Sequence, residues 1–202
     1  RIYPTSSTYE KYASEFKDNI FFNEPGSAIA TVSVNYGRTT YNHTSKTTDS
    51  QKESTRKALL NKEFRQALNF AVDRNSYSAQ TNGTDGAAVA IRNTFSPYDL
   101  QVGNKQFGKL VEESLAKTNS STWSNVSLAD SQNGLYNEEK AKAAFAKAKE
   151  SLKAEGVEFP IHLDALTIQE STAVVNRVQS LKQSIENVLG ADNVVIDLQQ
   201  MT

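Results

Sequence analysis

The first regular pattern of apolar positions is Tyr9, Tyr12, Ala13 and Phe16, spaced i, i+3, i+4 and i+7. It predicts a short helix, followed by Phe21-Phe22 and the turn signal Glu24-Pro25-Gly26. Ala28, Ala30, Val32, Val34 and Tyr36 then alternate with Thr31, Ser33 and Asn35, the period of two expected of a half-buried strand over 28–36. Residues 37–51 hold almost nothing apolar and read as an exposed loop. Leu60, Phe64, Ala67, Leu68 and Ala71 recur at helical spacing, which predicts a helix over 53–73 with Asn61 as a local cap or kink. Asn82 to Gly86 is a turn cluster, and 87–101 reads as a surface connection through Ser96-Pro97. Phe107, Leu110, Val111 and Leu115 mark a short amphipathic helix, and the polar stretch 118–133 carries the sole tryptophan, Trp123.

The last third has the strongest periodicity. Asn137 can cap a helix with Glu138 and Glu139 in its first turn, a stripe of Ala141, Ala144, Phe145, Ala148 and Leu152, and Gly156 at its end. Val157 to Ala165 alternates as a strand in which Pro160 suits an edge or a start. A helix through Val174, Val178, Leu181, Ile185 and Val188 ends at Gly190, and a strand runs from Val194 to Met201. Strand, helix and strand of these lengths predict a βαβ unit with parallel strands and a right-handed crossover. The predicted class is α/β: a mixed sheet with packed helices and a C-terminal βαβ unit, in a single body over 1–202.

Composition narrows the function classes. The 202 residues carry 22 Lys and Arg against 23 Asp and Glu, a formal net charge of -1, so no global pull toward nucleic acid or anionic lipid is expected. An apolar content of 38% is that of a folded domain. There is no Cys, which removes disulfides, thiolate metal sites and cysteine nucleophiles. The longest apolar run, Ala87 to Ile91, is far short of a membrane helix, and Arg1-Ile2-Tyr3-Pro4 does not open a signal peptide. The chain ends inside a predicted strand, as expected of a piece excised from something longer.

Little in the chain points to catalysis. Gly103-Asn-Lys-Gln-Phe-Gly108-Lys109 matches the start of a phosphate-binding loop, but Leu110 stands where a magnesium-holding hydroxyl is needed and no buried strand leads into it. A turn and helix start is the expectation there. His43 and His162 lack ligand neighbours at helical spacing, so no metal site is expected. No Gly-x-Ser-x-Gly elbow occurs, and the acid pairs Glu112-Glu113 and Glu138-Glu139 diverge on their helices. Glycosylation sequons stand at Asn42, Asn82, Asn119 and Asn125, yet at this Asn, Ser and Thr content about three arise by chance. Long polar loops with exposed aromatics suit binding better than catalysis. A surface adhesin or, from Gly103 to Lys109, a nucleotide-dependent enzyme are the competing classes.

The run Asn61-Lys-Glu-Phe-Arg-Gln-Ala-Leu-Asn-Phe-Ala-Val-Asp-Arg74 resembles the signature helix of the peptide-type solute-binding proteins of ABC importers, in which Arg-x-Ala-Leu-x-x-Ala-x-Asp-Arg recurs. Arg65, Ala67, Leu68, Ala71, Asp73 and Arg74 fill those positions. Tyr136-Asn137-Glu138-Glu139-Lys140-Ala141 stands in place of the family's Tyr-Asp-Pro-Glu-Lys-Ala, and Tyr41-Asn42-His43-Thr44 and Ala58 to Lys62 are similar to the Ali/Ami type lipoproteins of Gram-positive bacteria. The likeness runs over 28–202, with 1–27 as a lead-in segment. It implies part of one lobe of a periplasmic-binding-protein type II-like fold, with oligopeptides and ABC permease subunits as partners. It also implies no cofactor, no chemistry on the ligand, a monomer, and a place on the extracellular face of the cytoplasmic membrane through a lipid anchor outside this fragment. The acid that commonly anchors the peptide amino terminus in that family would lie beyond Thr202. The signature residues are expected to be structural. Peptide contacts are expected from Asn35 and Arg38 at a strand end and from Phe95 and Tyr98 in an aromatic loop.

Overall fold

The computed structural model describes residues 3–21, 29 and 31–201. Phe22, the turn Glu24-Pro25-Gly26, and Ala28 and Ala30 of the expected strand lie outside the described residues. In chain order the elements are α1 (Ser7–Tyr12), α2 (Asp49–Leu60), α3 (Lys62–Ala71), α4 (Arg74–Gly86), β1 (Gln101–Val102) and β2 (Lys105–Gln106). They continue with α5 (Phe107–Thr118), α6 (Ser120–Trp123), α7 (Glu138–Ala154), β3 (Ile161–Ile168), α8 (Thr172–Leu189) and β4 (Val194–Met201). The chain divides into two compact units: Arg1–Thr31 with Arg74–Leu135, and Val32–Asp73 with Tyr136–Thr202.

The second unit is built on α3 packed against α7. Phe64, Phe70, Leu152, Ile161 and Val194 are its fully buried large apolar side chains among the described residues. Phe64 and Phe145 lie with ring centroids 6.3 Å apart, and Phe145 meets Phe159 edge-on at 6.3 Å. The helix expected over 53–73, with Asn61 as a cap or kink, is divided at that residue into α2 and α3, because Asn61 leaves helical geometry (φ -71, ψ 125). Its Oδ1 accepts the Phe64 amide at 2.9 Å and caps α3, while α2 opens with a capping box of Thr48 and Gln51.

The βαβ unit is present, with β3 and β4 parallel from Ile161 opposite Val194 to Ile168 opposite Met201. β3 begins later than the alternation suggests. The Val157 amide is drawn to the Leu152 carbonyl at 3.0 Å, closing the end of α7, so 157–160 serve as the link. Along the outer side of β4, the Ile196 amide donates to Glu186 Oε1 at 2.8 Å and its carbonyl accepts from Lys182 Nζ at 2.9 Å. On the outer side of β3, Thr55 Oγ1 donates to the His162 carbonyl at 2.9 Å.

Among the described residues the mixed sheet is not observed. Two two-stranded sheets occur, the parallel β3–β4 pair and an antiparallel β1–β2 hairpin. Residues 31–35 form no strand, and Val32, Val34 and Tyr36 are 66, 37 and 53% exposed. Alternation marks two faces, but a strand exists only where a neighbour supplies the ladder, and among the described residues none pairs with this stretch.

In the first unit, the turn cluster 82–86 belongs to α4, with an interruption at Gly83 (φ 68, ψ 172). The glycine allows that positive φ, and a Cβ there would come within 2.7 Å of Pro4 Cβ. Gly103-Asn104 turns the β1–β2 hairpin and α5 starts at Phe107, the turn and helix start expected of that stretch. Tyr98, Leu128 and Leu135 form a buried cluster, with Val111, Leu115, Trp123, Val126 and Ala129 packed around it.

Candidate functional site

The polar loop 37–48 offers Tyr41 as its sole large apolar side chain, so burial cannot hold it. It is held by charge. Asp164, in the middle of β3 with its side chain 1% exposed, accepts three bonds on Oδ2: from Arg38 Nη1 at 2.5 Å, Lys46 Nζ at 2.7 Å and Thr44 Oγ1 at 2.7 Å. Its Oδ1 accepts the Ser45 amide at 3.2 Å and Gln199 Nε2 at 3.4 Å. Lys46 is equally buried, at 1% side-chain exposure.

Asp197 is the register partner of Asp164 across the parallel pair. Two carboxylates directly opposite one another repel, so the arrangement requires counter-charges and donors. His162 Nδ1 lies 2.8 Å from Asp197 Oδ2, and Ser45 Oγ donates to the same oxygen at 2.5 Å. Arg38 also ties the loop to itself, donating from Nε to the Thr40 carbonyl and from Nη2 to the His43 carbonyl, both at 2.8 Å. Its guanidinium lies 4.5 Å from the centre of the Tyr41 ring, which Lys52 approaches at 5.3 Å.

Burial alone would raise the Asp164 carboxyl. Lys46, Thr44 and the Ser45 amide outweigh it and hold the group below the ordinary aspartate value. A carboxyl depressed in the folded state contributes stability that is complete above the unfolded-state value, about 3.9, and is lost as pH falls through the folded-state value. The difference in thermal stability between the parent chain and Asp164→Asn is therefore expected to be full near neutrality and to shrink on acidification below about pH 4. A difference constant across that range would contradict this assignment.

Asn35 and Arg38 belong to this second unit, and Phe95 and Tyr98 to the first. Asn35 is exposed, and its Oδ1 accepts the Gly37 amide at 3.1 Å. Arg38 is committed to Asp164. Phe95 is 86% exposed, whereas Tyr98, three residues on, is 7% exposed. The Tyr98 amide donates to Asp130 Oδ2 at 2.9 Å and its hydroxyl to Glu112 Oε1 at 3.2 Å. Lys109 of the phosphate-loop-like stretch is paired with Glu112 Oε2 at 2.9 Å.

The signature helix has a structural explanation. Ala67, Leu68 and Ala71 are buried. Arg65 Nη1 donates to the Leu59 and Leu60 carbonyls at 2.7 and 2.8 Å, satisfying the end of α2 across the break at Asn61. Ser184 Oγ accepts the Asp73 amide at 2.8 Å and donates to the Ala71 carbonyl at 2.6 Å, fastening the end of α3 to α8. In the other unit the Arg74 amide donates to Asn133 Oδ1 at 3.0 Å, and burial draws its guanidinium down to about 10. Sequence reading passed over Asp164, Lys46, Asp197 and His162 as a site. The available signal was an aspartate inside each strand of a parallel pair, where near-continuous apolar runs are normal.

No family model matches the chain. It is 58% identical over its whole length to the oligopeptide-binding protein AmiA of Streptococcus pneumoniae, covering 31% of that protein. It is 54% identical to the oligopeptide-binding protein SarA of Streptococcus gordonii and 53% identical to the oligopeptide-binding protein AliA of S. pneumoniae, in each case over the whole chain and 30% of the relative. The chain thus spans about a third of the length of these curated relatives. The motifs around Arg65 to Arg74, and those before and after them, mark a likeness to the streptococcal oligopeptide-binding proteins that extends along the entire chain.

Proposed function

We propose that this chain is part of a lobe of an extracellular oligopeptide-binding component of an ABC importer, which captures peptides and hands them to a membrane permease without chemical change. The carrying observation is identity of 46–58% along the whole chain to proteins named for oligopeptide binding. The proposal extends to a lipid-anchored, monomeric parent with a periplasmic-binding-protein type II-like fold. The mixed α/β architecture with its parallel βαβ unit accords with it. Peptide would be held mainly through backbone hydrogen bonds, with roomy hydrated pockets tolerating many side chains. In this reading Asn35 and Phe95 present exposed groups to ligand. Arg38 and Tyr98 hold the loops that carry them, consistent with their internal partners. Lys109 pairs with Glu112 beside the hairpin at Gly103, which speaks against the nucleotide-enzyme class.

Mass spectrometry of ligands released by acid from the protein at the relatives' full length should find a mixture of short peptides. A single nucleotide, sugar or metal, or nothing across repeated preparations, would overturn the proposal. The 202-residue chain alone should bind such peptides weakly, because enclosure between two lobes needs both.

A further inference from the structure

Asp164 gathers five donors, four of them from a loop 118 to 126 residues earlier in the chain. Lys46 and Asp164 are both almost fully enclosed, so the pair resists solvent and salt in a way surface ion pairs do not. The charged and titratable groups facing it are Arg38 and Lys46 from the loop, His162 from β3 and Asp197 from β4. Asp197 is itself satisfied by His162 and Ser45, leaving both cations to Asp164. Arg38 passes the constraint outward by fixing the Thr40 and His43 carbonyls. Three residues before it, Asn35 turns the chain by accepting the Gly37 amide.

From this geometry we propose that Asp164 is a positioning residue: it locks the 38–46 loop onto the parallel strand pair and, through Arg38, sets the stretch at Asn35 that is to meet peptide. The inference rests on the peptide-binding reading for its function, but not for its geometry. It is tested with Asp164→Asn, which keeps the shape and removes the charge. Amide hydrogen exchange at Ser45 and Lys46 should accelerate about tenfold or more while amides within α7 keep their protection. In the protein at full length, affinity for a mixture of short peptides should fall about tenfold.

Should Asp164→Asn fail to fold, Thr44→Val decides. It removes one donor to Asp164 and the acceptor of the Lys46 amide, leaves both ion pairs, and is therefore read at the Ser45 amide, to which Thr44 makes no direct bond; faster exchange there supports the lock. Unchanged exchange at Ser45 would overturn the anchoring, and faster exchange with unchanged peptide affinity would overturn the positioning role. An unaltered protein that binds no peptide would dismiss the transport reading, and exchange at Ser45 would then decide alone whether Asp164 holds the loop.

Discussion

Phe64→Ala is expected to lower the stability of its unit by about 3–5 kcal/mol, the range for truncating a fully buried phenylalanine. Phe64 is 0% exposed at the α3–α7 contact, and its ring leads to Phe145 and through it to Phe159. Removing it leaves a void that α3, α7 and the rings of Phe145 and Phe159 cannot close without moving together. Native domains are stable by about 5–15 kcal/mol, so the loss is a large fraction of the total. Denaturant unfolding followed by circular dichroism measures it, with Phe95→Ala as the control. Phe95 is 86% exposed, so its truncation should change stability by no more than about 0.5 kcal/mol. A similar cost for the two would contradict the packing described.

Gly134→Ala should destabilise the other unit by at least about 1–3 kcal/mol. A Cβ on Gly134 would overlap the carbonyl oxygen of Ser127, a backbone atom with no rotamer by which to move aside. Relief requires the chain to part at 127 or 134, and each is next to a core residue, Leu128 at 2% and Leu135 at 8% exposure. Gly156→Ala, at a positive φ of 74 with open space around it, meets only the left-handed backbone penalty, about 1–2 kcal/mol. Trp123, the sole tryptophan, packs on the Tyr98–Leu128–Leu135 cluster. Its fluorescence should therefore report the Gly134→Ala transition moving to lower denaturant, and an unmoved transition would count against the close approach.

The elements legible in the sequence were those whose local pattern and tertiary partners agree. The stripe from Ala141 to Leu152, the helix that closes at Gly190 and the strand from Val194 to Met201 fall where periodicity places them, whereas β3 starts at Ile161 rather than Val157. The stretch 31–36 shows what periodicity lacks: it specifies which side chains share a face, but not the neighbouring edge that would make a strand. α4 was hidden by Asn82-Gly83-Thr84-Asp85-Gly86, turn residues that a helix accommodates here with one non-helical glycine. The signature helix could be located by motif, yet its reasons, Arg65 on the carbonyls of α2 and Ser184 on Asp73, join positions far apart in sequence. The Asp164 cluster was the least legible. Each of its members reads locally as an ordinary polar residue, and their meaning comes from a strand register that brings Asp164 beside Asp197.

Among the described residues that register leaves a two-stranded sheet with two outer edges, the feature through which folded chains most readily recruit one another into aggregates. Near their beginnings both edges are already occupied. Glu186 and Lys182 take the amide and carbonyl of Ile196, and Thr55 takes the carbonyl of His162. Toward its end β3 carries Leu166 and Ile168, each about half exposed. Unwanted pairing between copies would therefore start at the far end of β3 and stall at the polar stops, so colloidal behaviour of this chain should respond to charge placed at Leu166 or Ile168 far more than to charge placed near Ile161.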